Sequence, residues 1–146
     1  MDWNHAMPVQ ILMVDDNMAD VRLTEEAMSF TKIRNKMFVV NDGEQAMAFL
    51  HRQPPYENVP RPDLILLDLN MPRKNGLEVL EEIRQDEHLS LIPVVILTTS
   101  QQEADIIQSY RLHANAYVNK PVDLDQFIQV IRSIEGFWLE IVKLPH

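Results

Sequence analysis

Short hydrophobic runs recur along the chain and are separated by longer stretches of mixed polarity. Each run lacks a sustained polar alternation and stops at a polar or turn-forming residue. This pattern is typical of strands that are buried on both faces of a parallel sheet. Five such strands are predicted, at Val9–Val14, Phe38–Val40, Leu64–Leu67, Pro93–Leu97 and Ala116–Val118.

Between the runs, hydrophobic residues recur at the three-and-four spacing of an amphipathic helix. Strand and helix therefore alternate five times, which predicts an α/β fold of three layers: a doubly wound parallel sheet with helices on both faces. Residues 51–62 hold four of the nine prolines and are predicted to form a loop. Helices are predicted over Asn17–Thr31, Glu44–Leu50, Gly76–Glu87 and Gln101–Leu112, and from Leu124 onward, after an N-cap at Asp123.

Composition narrows the class of protein. The 146 residues suit one domain, predicted over 9–134 between a lead-in at 1–8 and an apolar extension at 135–146. The net charge of −9 argues against a nucleic-acid-binding face and against docking on anionic membranes. The chain lacks cysteine, a bilayer-spanning apolar segment and a signal-peptide pattern, and we expect a cytoplasmic location.

Residues with a carboxylate, hydroxyl or ammonium side chain follow four of the five predicted strands. Parallel strands end at the same edge of a sheet, so these residues are expected to meet there. Three converging carboxylates would repel one another unless a cation were present, and oxygen ligands suit Mg²⁺. A carboxylate nucleophile, a metal, a hydroxyl and an ammonium together indicate a phosphoryl-transfer site. The residues are Asp15 and Asp16 after the first strand, Asp68 after the third, Thr98 after the fourth and Lys120 after the fifth.

Each of these residues also has a structural interpretation. Asp15 or Asp16 could cap the first helix, and Asp68 could form a turn. Thr98 could be satisfied by backbone, and Lys120 could be an ordinary solvated lysine. Because such residues occur together at four strand ends, a phosphoryl-transfer site is favoured over these separate structural roles.

These motifs together resemble the receiver domain of two-component response regulators, and the resemblance covers about residues 9–134. It implies a flavodoxin-like fold with strand order 2-1-3-4-5. The matching pieces are Asp15-Asp16, the segment PDLILLDLNMP around Asp68, Asn75-Gly76, Thr98, Tyr117 and Lys120-Pro121.

The resemblance implies that Asp68 accepts a phosphoryl group from a phosphohistidine of a sensor histidine kinase. It implies that Asp15, Asp16, Asp68 and the backbone carbonyl of Asn70 surround Mg²⁺, with Asp15 acting largely through a metal-bound water. Such a protein assists its own phosphotransfer and dephosphorylation and turns over no separate substrate.

By the same resemblance, Lys120 would pair with the phosphoryl oxygens, and the Lys120–Pro121 bond would be cis. Thr98 would be the switch hydroxyl, and Tyr117 the aromatic that moves inward with it, so that a protein-interaction surface changes shape on phosphorylation. The simpler interpretation of Tyr117 is a surface aromatic.

Asn70 and Ser100 lie two residues beyond Asp68 and Thr98, at positions that influence dephosphorylation in this family. Ser100 is short and uncharged, so it should position an attacking water only weakly. The sequence therefore predicts a moderately long-lived phosphoryl group.

The end of the chain is unusually apolar, and Gly136 either ends the last helix or lies within it. A homodimer contact through Phe137, Trp138 and Ile141 is predicted; the alternative is that this segment folds back on its own domain. Hydrophobic residues continue at steps of three and four, at Leu124, Phe127, Ile131, Ile134, Trp138 and Ile141.

This extension, the loop at 51–62 and the segment DDNMADVRLTEEA are similar to single-domain receivers that partner cyanobacterial and other bacterial phytochrome kinases. Met18, Pro121 and Val122 could belong to the kinase-docking surface; for Met18 an isolated apolar surface residue is the equal alternative.

Three competing functions are weighed. A phosphatase of the haloacid dehalogenase type would need a second aspartate where Asn70 stands. A degenerate receiver, acting as a phosphorylation-independent interaction module, would lack one of the residues that are present here. A transcription factor would need a basic domain.

Overall fold

The computed structural model describes residues 8–31, 34–69, 71, 74–98, 106, 108, 110–114, 116–120 and 123–142. At residues 98, 116, 119 and 134–142 the description covers the backbone alone.

Five parallel strands form one sheet in the order β2-β1-β3-β4-β5. This order confirms the predicted flavodoxin-like topology. The strands are β1 (Val9–Val14), β2 (Asn35–Val40), β3 (Leu64–Leu67), β4 (Val94–Thr98) and β5 (Ala116–Asn119).

Four helices are assigned within the described residues: α1 (Met18–Met28), α2 (Gly43–Leu50), α3 (Gly76–Gln85) and α4 (Leu124–Val142). The helix predicted at Gln101–Leu112 lies largely outside the described residues. Ile106, Gln108, Tyr110 and Arg111, which are described, are helical.

The two faces of the sheet bury two separate hydrophobic clusters, as alternation along the strands requires. Leu12, Ile65 and Ile96 face the cluster that includes residues of α2 and α3. On the opposite face, alternate strand residues join a cluster with residues of α1 and α4, and Phe127 of α4 is fully buried there. The sheet is therefore the middle of three layers.

Several predicted boundaries were wrong by a few residues. β2 begins at Asn35 rather than Phe38, because it pairs with β1 over six residues, from the Val9–Asn35 pair onward. α1 ends at Met28 and α3 at Gln85, where the extended backbone of Asp86 (φ −96°, ψ 121°) terminates the helix.

Polar side chains cap the helices at the edge where the strands end. Asn17 caps α1 by accepting N–H bonds from Ala19 and Asp20, so the interpretation of Asp15 or Asp16 as that cap was wrong. Asn75 and Glu78 form a capping box at the start of α3. Asp123 caps α4, as predicted, by accepting the N–H of Gln126 at 2.9 Å.

The last helix, α4, continues through Gly136 to Val142, so Gly136 does not end it. Its 19 residues correspond to about 28 Å of helix, whereas strands of four to six residues span at most about 20 Å. α4 is therefore longer than the sheet layer against which it packs.

Candidate functional site

Asp15 and Asp68 are held side by side at the carboxyl edge of the sheet by backbone hydrogen bonds. The Asp15 N–H donates to the Val40 carbonyl at 3.1 Å, and the Asp68 N–H donates to the Val14 carbonyl at 3.0 Å. Both residues are almost fully buried, with 1% and 4% of their surface exposed. The sheet thus brings together two carboxylates from strands that are not consecutive in the chain.

Gly76 allows the chain to fold back tightly after Asp68. A Cβ atom at Gly76 would lie 2.2 Å from the backbone oxygen of Asp68, which is far inside van der Waals contact. The Gly76 N–H donates to the Leu69 carbonyl at 3.1 Å and closes this turn. Asn75 is the N-cap of α3, and Gly76 is its first residue.

The ammonium of Lys120 lies among three carboxylates. Its Nζ atom is 2.8 Å from Oδ2 of Asp15, 2.7 Å from Oδ2 of Asp20 and 3.0 Å from Oδ2 of Asp68. Only 5% of the Lys120 side chain is exposed, so the interpretation as a solvated lysine was wrong. An ammonium has three N–H donors, and each has a carboxylate acceptor here.

Asp20 was missed by the sequence analysis. It lies in the first turn of α1, where an acidic residue is expected simply because it interacts favourably with the helix dipole. Its partner Lys120 is 100 residues away in the chain. No local spacing could have signalled this pair.

Asp15, Asp16 and Asp68 form a second, overlapping cluster. Each offers a carboxylate oxygen, and these oxygens lie within 4.8 Å of one another. Asp16 is exposed, whereas the other two are buried. Three hard oxygen ligands, open to solvent on one side, fit a divalent cation that retains some of its water.

Burial and pairing perturb the ionisable groups in opposite ways. Burial raises the pKa of the Asp15 carboxyl, and this outweighs the hydrogen bonds from Lys120 and Asn17 that favour the charged form. Burial alone would lower the pKa of Lys120, but its bonds to Asp15 and Asp20 and the nearby charges raise that pKa above its usual value. The ammonium therefore stays charged.

The four aspartates and one lysine of this edge leave a strong excess of negative charge. In a largely buried setting such an excess is costly unless a cation neutralises it. The carboxylate oxygens and their excess of negative charge therefore both fit a divalent metal ion.

Comparison with known proteins gives the family. Residues 11–132 match the family described as "Response regulator receiver domain". The chain belongs to this family. The predicted resemblance is therefore confirmed over most of the receiver's length.

Relatives of this receiver include phytochrome response regulators. Response regulator Rcp1 of Synechocystis sp. is 51% identical over 138 residues, which are 94% of each chain. The Mn²⁺-bound structure of Rcp1 aligns with a TM-score of 0.86 at 50% identity, covering 95% of this chain and all of that one.

Two further solved structures are similar. The phosphorylated cyanobacterial phytochrome response regulator RcpA aligns with a TM-score of 0.88 at 47% identity, over 96% of this chain and all of that one. The bacteriophytochrome response regulator AtBRR aligns with a TM-score of 0.74 at 39% identity, over 91% and 96%. The resemblance to phytochrome-associated receivers is thereby confirmed.

Other predicted site residues are only partly described. Tyr117 is half-buried and packs against the hydrophobic cluster on the α2 and α3 face of the receiver. Thr98 is the last residue of β4, at the same edge as Asp68, but its side chain is not described. Asn70, Ser100 and the Lys120–Pro121 bond, with Val122, lie outside the described residues.

The predicted dimer residues Phe137, Trp138 and Ile141 all lie on α4, with their side chains outside the description. Met18 is 51% exposed, at the start of α1 next to the site. None of the helices in the described part of the chain combines the length and the hydropathy needed to span a lipid bilayer.

Proposed function

We propose that this receiver accepts a phosphoryl group on Asp68 from a sensor histidine kinase, in a Mg²⁺-dependent reaction that switches a protein-interaction surface. The observation that carries this proposal is the Lys120 ammonium, 3.0 Å from the buried Asp68 carboxylate inside an acidic cluster. A nucleophilic oxygen, a fixed cation and a metal-binding oxygen set are the parts that phosphoryl transfer requires.

In the transfer, an oxygen of Asp68 attacks phosphorus. The bond from phosphorus to the donor imidazole nitrogen breaks, and the electron pair stays on that nitrogen. The ammonium of Lys120, already beside Asp68, neutralises oxygens of the incoming group. Burial of Asp68 limits competing water, and the strand end holds its carboxylate in place.

Asp15, Asp16 and Asp68, with the backbone carbonyl of Asn70, are the proposed ligands of Mg²⁺. The metal would neutralise charge on the transferring oxygens. The fit of three aspartate oxygens within 4.8 Å of one another supports this set, and the Mn²⁺-bound state of Rcp1 supports a divalent ion.

The response to phosphorylation is proposed to run through Thr98 and Tyr117. The phosphoryl group adds about −1.5 to −2 of charge beside β4 and β5. Thr98 ends β4, and Tyr117 is half-buried on the sheet, from which it can move further inward. The roles of Asn70 and Ser100 in dephosphorylation stay predictions. The moderately long lifetime of the phosphoryl group is also a prediction, and complete decay within seconds would contradict it.

The proposed partner is a phytochrome-like histidine kinase. Similarity to RcpA and AtBRR over more than nine-tenths of this chain supports it. The phosphorylated state of RcpA also supports phosphorylation of this receiver. A cytoplasmic location stays a prediction, as does the absence of separate substrate turnover.

A homodimer through α4 is proposed as well. α4 is longer than the sheet layer, and the apolar spacing continues into its last turns. Deletion of residues 137–146 should then shift sedimentation from dimer to monomer. An unchanged dimer would contradict the contact and favour other surfaces.

The test of the main proposal is incubation with acetyl phosphate, followed by intact-mass measurement. One phosphoryl adduct is expected, which requires Mg²⁺ and is absent in Asp68→Asn. Asp63→Asn, an aspartate at the opposite end of β3, is the matched control and should retain the adduct. No adduct in the unmodified protein would favour the alternative of a phosphorylation-independent interaction module.

A further inference from the structure

Asp20 contacts the ammonium that serves the phosphoacceptor site, yet it is neither acceptor nor part of the three-aspartate cluster. Its Oδ2 atom lies 2.7 Å from Lys120 Nζ, slightly closer than the 3.0 Å that separates Nζ from Asp68. The Asp20 side chain is 22% exposed, so this contact is formed at the rim of a largely buried group.

The position of Asp20 is fixed by the local structure around the start of α1. The Asp20 N–H donates to Oδ1 of the N-cap Asn17 at 3.1 Å, and the Asn17 N–H donates to Oδ1 of Asp15 at 2.9 Å. One turn later, the hydroxyl of the fully buried Thr24 donates to the Asp20 carbonyl at 2.8 Å. Asp20 and Asp15 are thus linked in two ways, through the N-cap residue Asn17 and through the ammonium of Lys120.

The three donors of the ammonium are all engaged by carboxylates. To bond to a phosphoryl group on Asp68, Lys120 has to exchange at least one of these acceptors. Asp15 belongs to the proposed metal ligands and Asp68 carries the new group. Of the three acceptors, Asp20 is the one that is neither a proposed metal ligand nor the phosphoacceptor, so the phosphoryl oxygens would compete with it for Lys120.

We propose that Asp20 is a positioning residue that holds Lys120 in the resting receiver and so opposes binding of a phosphoryl group at Asp68. It acts through Lys120, and its charge also adds to the repulsion of an incoming anion. The inference rests on the proposed function, because it assigns Asp20 a role in the phosphoryl chemistry of the same site.

A purely structural role for Asp20 makes a different prediction. As a first-turn acid, Asp20 stabilises α1 through the helix dipole, and its loss would lower stability. It would not make the receiver bind a phosphoryl-like anion more tightly. A gain of affinity therefore separates the two roles.

The test measures binding of beryllofluoride, a tetrahedral mimic of a phosphoryl group, to the full chain with Mg²⁺ by ¹⁹F NMR. Asp20→Asn is expected to bind about twofold to fivefold more tightly than the unmodified receiver, the range that a partly exposed ion pair supports. Asp20→Glu keeps the charge and should bind less tightly than Asp20→Asn. Asp20→Ser, a second uncharged variant, repeats the test if Asp20→Asn does not fold.

Asp125→Asn is the matched control, because it removes one negative charge from the first turn of α4. It should bind as the unmodified receiver does. Equal affinity of Asp20→Asn and Asp125→Asn, or weaker binding by Asp20→Asn, would overturn the role of Asp20 and leave the proposed function standing. No binding by the unmodified receiver, matching Asp68→Asn, would overturn both.

Discussion

Two cations in this receiver are held in contrasting ways, at different places in the fold. Lys120, at the carboxyl edge of the sheet, contacts carboxylates of Asp15, Asp20 and Asp68. Arg84, on α3, donates instead to four backbone carbonyls, those of Ser90, Ile92, Leu112 and His113, at 2.8 to 3.1 Å.

These four carbonyl acceptors of Arg84 are neutral and belong to segments before β4 and before β5. Arg84 thereby ties two connections to α3. One of them contains His113, whose φ of 57° is unfavourable for a residue with a Cβ atom. An arginine that donates to four backbone carbonyls stabilises the fold.

The acceptors of Lys120 are charged, and they outnumber it. Such a cluster is stable only with help from a cation, and its contacts can be exchanged when a new charged group arrives. The kind of acceptor, rather than burial of the cation alone, therefore separates a structural contact from a chemical site.

The largest effect is expected for Lys120→Met. Without metal, the free energy of unfolding should fall by about 3–5 kcal/mol, because the buried carboxylates of Asp15 and Asp68 lose the ammonium that contacts both of them. Mg²⁺ should recover part of this loss. Urea unfolding with and without Mg²⁺ measures the loss and its recovery. If Lys120→Met were as stable as the unmodified receiver in metal-free buffer, Lys120 would not be needed to neutralise the carboxylates.

Arg84→Met should lower the free energy of unfolding by about 2–3 kcal/mol, because it leaves carbonyls without donors. In contrast to Lys120→Met, the loss should be the same with and without Mg²⁺, and the folded variant should still form the phosphoryl adduct. Arg132→Met, at an exposed position of α4, is the control and should change stability little. If Mg²⁺ restored the lost stability of Arg84→Met, Arg84 would belong to the phosphoacceptor site, and the distinction between the two cations would be wrong.

The smallest effect concerns pH. Because burial raises the pKa of Asp15, its carboxyl binds a proton more tightly in the folded receiver than in the unfolded chain, where the usual value is 3.8. The contribution of Asp15 to stability is therefore lost as pH rises from near 3.8 through the folded pKa. Burial lowers the pKa of the Arg84 guanidinium below its usual value, but the group stays charged throughout this range.

Asp15→Asn lacks this titration. In metal-free buffer, the stability of Asp15→Asn relative to the unmodified receiver should therefore rise between acid and neutral pH. Thermal unfolding over that range measures the difference. A difference that stayed constant with pH would contradict the raised pKa.

The fold was predictable because its signals are local. Apolar runs such as Leu64–Leu67 are buried on both faces, and the parallel topology follows from their alternation with helices. The start of β2 was missed because Asn35 and Lys36 are polar. They belong to the strand through pairing with β1, which no local pattern shows.

The site was predictable where residues follow strands directly, as at Asp15, Asp68 and Lys120. Convergence is then a consequence of parallel strands. Asp20 was not predictable, because it lies inside α1 and meets Lys120 only after the sheet and helix have packed. The continuation of α4 through Gly136 was left open because glycine only weakly opposes a helix.

Asp68 is the proposed phosphoryl acceptor among the aspartates of the acidic edge. The most direct measurement is to treat the receiver with acetyl phosphate and Mg²⁺, reduce it with borohydride, and map the product by tandem mass spectrometry. Reduction of an aspartyl phosphate gives homoserine, which is expected at position 68 alone. Homoserine at position 15, 16 or 20, with none at 68, would show that Asp68 is not the phosphoryl acceptor.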